Sequence, residues 1–143
     1  MVAEYAVSDQ EVTRAAVTKS VRNKAYDVTS TYVLTGEKAS FRGVQPSSQF
    51  TVGGDGWGAF ELAARVGELN IDDAAFVGGP ASLADINASA SKASNYGIGL
   101  NWYLNSNLKI STDYNVTSFD GGAAGGQDRE TERALFSRVQ FAY

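Results

Sequence analysis

The sequence predicts an all-β fold, an antiparallel up-and-down sheet with one apolar face and one polar face. Three observations predict it. Six segments alternate apolar and polar side chains with period two, which sends them to opposite faces of a strand. Fifteen glycines, seven tyrosines and only two prolines among 143 residues, with many Thr, Ser and Asn, suit a turn-rich β protein. No apolar run approaches the roughly 20 residues that a membrane helix needs.

The first segment, VAEYAV, sets Ala3, Tyr5 and Val7 against Glu4. The second, AYDVTSTYVLTG, sets Tyr26, Val28, Ser30, Tyr32 and Leu34 against Asp27, Thr29, Thr31 and Val33. The third, GAFELAARVGEL, sets Phe60, Leu62, Ala64 and Val66 against Glu61, Ala63, Arg65 and Gly67. It is built of good helix formers, and on periodicity alone an amphipathic helix fits it about as well as a strand. The fourth, SNYGIGLNWYL, places Tyr96, Ile98, Leu100, Trp102 and Leu104 opposite Gly97, Gly99, Asn101 and Tyr103. The fifth, LKISTDYNVT, places Leu108, Ile110, Thr112, Tyr114 and Val116 opposite Lys109, Ser111, Asp113, Asn115 and Thr117. The sixth closes the chain as LFSRVQFAY, with Leu135, Ser137, Val139, Phe141 and Tyr143 on one face and Phe136, Arg138, Gln140 and Ala142 on the other.

Between the fourth and fifth segments NSN reads as a tight hairpin turn. The connections 8–23, 70–92 and 120–130 read as longer loops at the opposite end, the asymmetry of an outer-membrane barrel. The connection 36–56 is long where a short turn belongs. The aromatics sort by height. With the fourth strand descending to NSN, Tyr32, Phe60, Trp102, Phe141 and Tyr143 fall near the lower strand ends, with Trp57 close by. Tyr26, Tyr96, Tyr114 and Phe119 fall near the upper ends. Two bands of rings are the girdles expected at two membrane interfaces, and a soluble sandwich has no reason to sort its rings this way.

Composition excludes much chemistry. With no cysteine and no histidine, the chain has no thiol nucleophile, disulfide, Cys/His zinc site or imidazole base. A net charge of −4 argues against nucleic-acid binding. GGDGWG (53–58) lacks the lysine of a phosphate loop. The acidic pairs at 72–73 and 128–132 lack an EF-hand pattern. No catalytic constellation, metal site or cofactor site is legible, so the chain is not read as an enzyme.

Six strands cannot enclose a pore, since the smallest membrane barrels have about eight and an aqueous channel takes about sixteen. Open edges in lipid leave backbone groups unpaired at several kcal/mol each. Either the chain closes by oligomerising, or it is the tail of something longer, which is the reading preferred. MVAEYAVSDQ lacks the basic start and apolar stretch of a secretory signal.

The blocks TSTYVLTGE (29–37), WGAFELAARVGELN (57–70) and GIGLNWYLNSNLKISTDYNVTSFD (97–120), together with the aromatic terminus, resemble the phosphate-selective porin O/P family. The resemblance spans nearly the whole chain and is to that family's C-terminal portion. It implies that residues 1–143 are the last six strands of one barrel domain of about sixteen strands, trimeric, in the bacterial outer membrane. It also implies a strand for the third segment and a long link after LTGE. The function implied is passive diffusion of small anions, phosphate included. The family's arginine ladder does not map onto this segment residue by residue.

On this reading Arg65, Lys109 and Arg138 line the pore, with Glu61, Asp113, Glu4, Asn101, Tyr103 and Gln140 among them. The plainer reading makes them wall residues pairing with one another, Glu61 with a Lys or Arg of a neighbouring strand. Leu135, Val139, Phe141 and Tyr143 resemble the signal read by the barrel assembly machinery, whose logic is strand addition. Partners implied are small anions or solutes, outer-membrane lipid, that machinery and sibling subunits. The alternative is a soluble or surface β-barrel ligand-binding module, which would be water-soluble with one apolar interior.

Overall fold

The computed structural model describes residues 1–142. The readings that involve Tyr143, in the lower girdle and in the assembly signal, lie outside the described residues. The strands are β1 (Val2–Arg14), β2 (Val17–Val33), β3 (Ala59–Asn70), β4 (Ala90–Tyr103), β5 (Leu108–Ala123), the two-residue β6 (Gln127–Asp128) and β7 (Glu132–Phe141). Each long strand pairs antiparallel with the next, in the order β1-β2-β3-β4-β5-β7, and β6 joins the upper end of β5. The sheet is open, with a single neighbour for β1 and for β7.

The third segment is a strand. Its whole length pairs with β4, from Ala59↔Tyr103 to Asn70↔Lys92, and ten of its residues pair with β2. Two satisfied edges outweigh the helix propensity of Glu, Leu and Ala.

The register keeps the two faces separate across every strand. One row runs Tyr32–Leu62–Leu100–Thr112–Ser137, and the adjacent row on the opposite face runs Val33–Glu61–Asn101–Ser111–Arg138. The apolar face is bare: Tyr32 is 70% exposed, Ile98 55% and Phe141 72%, and among the described residues no large side chain is fully buried. A soluble sandwich would bury this face against a second sheet. Here the small buried cluster of Val33, Val44, Ala59 and Tyr103 lies at the lower edge of the polar face.

The connection expected at 8–23 is a correction. β1 runs on to Arg14 and β2 starts at Val17, so only Ala15 and Ala16 turn, with φ of 50° and 62°. Residues 8–14 and 17–23 carry polar groups on both faces, which hides the alternation from the sequence. A two-residue hairpin turn needs positive φ at both central residues, which Asn-Gly adopts at lower cost than Ala-Ala. Replacing Ala15-Ala16 by Asn-Gly should therefore raise stability by about 1–2 kcal/mol, seen as a higher midpoint in urea unfolding.

The projecting β1–β2 hairpin is braced by the connection 71–89. The Arg14 guanidinium donates to the Ser82 carbonyl at 2.6 Å, and the Lys19 ammonium donates to the carbonyls of Ala74 and Val77. Asp72 accepts from the amides of Arg22 and Ala74, both at 2.9 Å. These amide bonds hold its carboxyl below the ordinary range. On the other side the Gly122 amide donates to the Ile86 carbonyl at 2.9 Å. At the lower end NSN makes the expected tight turn, with Asn105 Oδ1 accepting from the amides of Asn107 and Leu108 at 2.8 and 2.9 Å.

Candidate functional site

The polar face is concave, and its side chains come from alternate positions of six strands. Arg65 donates from Nε to Asp27 Oδ2 at 2.5 Å, a bond between neighbouring strands β3 and β2. Among the described residues Glu61 meets no Lys or Arg. It is 6% exposed, and its Oε2 accepts from Asn101 Nδ2 at 3.0 Å and from the Tyr103 hydroxyl at 2.9 Å. Ser111 then donates to Asn101 Oδ1 at 2.6 Å. A buried carboxylate needs such donors, because desolvation without them costs several kcal/mol.

Lys109 sits with Nζ 5.3 Å from the centre of the Tyr103 ring, and Gln140 faces it across the β5–β7 pair. Arg138 pairs in register with Ser111, and Asp113 with Phe136. Three glycines bare the wall between these groups. A Cβ at Gly67 would stand 2.9 Å from Asp27 Oδ2, one at Gly97 2.6 Å from Asn115 Oδ1, and one at Gly99 2.2 Å from Asp113 Oδ1. The polar side chains of β2 and β5 thus lie over bare backbone, of β3 at Gly67 and of β4 at Gly97 and Gly99.

The connection 34–58 covers the lower edge. Its inner part, around residues 40–45, turns onto the polar face, where Val44 packs with Val33, Ala59 and Tyr103. Val44 and Tyr103 help bound a recess of about 430 Å³ that is also lined by Phe41, Arg42, Thr31, Asn101, Lys109 and Gln140. Glu61 and Tyr103 therefore lie under this covering. Arg42 was not singled out by the sequence, since 36–56 has no periodicity to place a side chain. Among the described residues Arg42, Lys109 and Arg138 make no ion pair with a carboxylate.

The covering is stapled by Glu37. Its carboxylate accepts from the Thr35 hydroxyl, and from the Ser47 amide and hydroxyl at 3.2 and 2.9 Å. Led by the Thr35 bond, these donors hold Glu37 down at about 2. A depressed carboxyl contributes stability above its unfolded value and loses it as pH falls toward the folded value. The Ser47 amide should therefore keep its hydrogen-exchange protection from pH 7 to about 4.5 and lose it only as pH nears 2. Loss already complete at pH 4, or no change in the Glu37→Gln variant, would remove the staple.

Of the ring bands, Tyr26, Tyr32, Tyr96, Tyr114 and Phe141 point outward and are exposed. Phe60 and Trp102 pair across β3 and β4 and stack at 5.8 Å. Phe119 is a correction, because its parity puts it on the polar side, beneath the Arg129 guanidinium at 4.9 Å. Leu135, Val139 and Phe141 lie on the outward face of β7.

The profile of the family described as phosphate-selective porin O and P matches residues 2–143. Porin O of Pseudomonas aeruginosa is 30% identical over 132 residues, which are 87% of this chain and 28% of the relative. The chain thus spans a little over a quarter of that relative's length.

Proposed function

The chain belongs to the phosphate-selective porin O and P family, and on that premise we propose that it forms six strands of an outer-membrane barrel of about sixteen through which small anions, phosphate among them, diffuse passively. Family membership supports a channel role without catalysis. The observation that carries anion passage is the pair Arg42 and Lys109 lining the lower recess, with Arg138 on the same polar face opposite Ser111, cations with no carboxylate partner among the described residues. In a confined wall such charges raise the local concentration of anions. Glu61 adds no opposing charge to open water there, because it is covered and spent on Asn101 and Tyr103.

Closure by further strands accounts for the two open edges, which lipid does not tolerate. Sibling subunits, outer-membrane lipid and the barrel assembly machinery are the partners of this reading, the last meeting the edge of β7 by strand addition. The test is the full-length polypeptide in a planar bilayer under a KCl gradient. A reversal potential of the sign set by chloride, and conductance retained in phosphate, is expected. A cation-selective potential would overturn anion passage.

A further inference from the structure

The connection 34–58 divides at the bottom edge of the sheet, and its outer lobe, residues 48–57, lies on the other side of the wall from Arg42. Phe50 meets the outward ring of Trp102 edge-on at 5.1 Å, and Trp102 Nε1 donates to the Trp57 carbonyl at 2.7 Å. The backbone fixes the lobe in place. The Phe50 amide donates to the Leu104 carbonyl at 2.7 Å, Gly58 to Ser48 at 3.1 Å and Thr51 to Gly56 at 3.0 Å. Gly58 has φ +76°, and a Cβ there would stand 2.2 Å from the Tyr103 carbonyl, so the return of the chain to β3 leaves no room for another residue. This held lobe offers its apolar groups outward: Val52 is 88% exposed and Trp57 66%. Asp55 is its one charge.

We infer that residues 48–57 form an interfacial anchor, seated in the headgroup–acyl boundary of the leaflet at this end with Val52 and Trp57 in lipid. The inference rests on the reading that the outward face of the sheet meets lipid. The lobe continues that face downward from Phe60 and Trp102, at the level where amphipathic rings prefer to lie. Hydrogen bonding to Trp102 sets its height. In water an apolar tip held this rigidly would gain nothing, whereas in lipid it removes Val52 and Trp57 from water without further ordering.

The test uses the full-length polypeptide in vesicles, with an environment-sensitive fluorophore attached at Val52→Cys or at Ile98→Cys. This chain has no cysteine of its own, and the parent carried through the same labelling is the blank. Both positions are exposed, so neither change disturbs packing. Lipids brominated near the glycerol or near the chain end then serve as quenchers. The Val52 probe should lose fluorescence chiefly to the shallow bromines and the Ile98 probe chiefly to the deep ones. Quenching at Ile98 with none at Val52 overturns the anchor and leaves the barrel standing, the lobe then lying in water or against another subunit. Silence at both positions overturns the barrel reading and the anchor with it.

Discussion

Ile98→Arg is expected to destabilise the barrel in a bilayer by about 2–4 kcal/mol, the cost of a cation near the midplane of a lipid-facing strand. Ile98 lies in the outward row Ser30–Ala64–Ile98–Tyr114–Leu135, two residues along β4 from Tyr96 of the upper ring and four from Trp102 of the lower one. Thr31→Arg makes the matching change on the opposite face, in the row Thr31–Ala63–Gly99–Asp113–Phe136. There the guanidinium enters water, so the effect should stay within about 0.5 kcal/mol. Urea unfolding of the reconstituted polypeptide reads both. Equal costs would mean that the two faces do not meet lipid and water, and the alternative of a water-soluble module would gain from a tolerated Ile98→Arg.

Reversing Arg42, Lys109 and Arg138 together to Glu should change anion preference by the second large amount. At about 10 Å and the dielectric constant of water, reversing one unit charge moves a passing ion by about 0.8 kcal/mol. Three reversals, screened over a Debye length of about 10 Å, leave roughly a tenfold change in the anion-to-cation permeability ratio. The reversal potential under a salt gradient measures it. The change should shrink as salt rises, because exposed charges are screened and a structural collapse is not. An unchanged ratio would show that selectivity is set elsewhere in the barrel.

Much of this wall is legible in the sequence because, on the proposed reading, lipid and water enforce alternation. Where one face meets lipid, the outward residues of β2, β4 and β5 are predominantly apolar, and a one-residue slip would bury Asp27 or Lys109 in hydrocarbon. Beyond the lipid that constraint ends. Residues 8–14 and 17–23 are polar on both sides, so strands that continue there read as a loop, and Ala15-Ala16 carries none of the usual turn chemistry. The connection 34–58 is illegible for a related reason. Its contacts are made with side chains far away in sequence, Val44 with Tyr103 and Phe50 with Trp102, and no local period encodes them. Arg42 was missed there. The same covering takes Glu61 out of open water, which alternation alone could not foresee.

The glycines at 67, 97 and 99 bear on flow as well as packing. Resistance to a hydrated ion depends on the narrowest cross-section and on how rough its perimeter is. Along β3 and β4 the wall recedes to bare backbone, with Asp27, Asn115 and Asp113 folded flat over it. In the closed barrel proposed above, this strip would be the smoother part of the perimeter. A solute travelling there would pass carboxylate and amide edges while the cations of Arg138 and Lys109 acted on it from the side, so hydraulic radius and electrostatic pull would be set by different stretches of one perimeter.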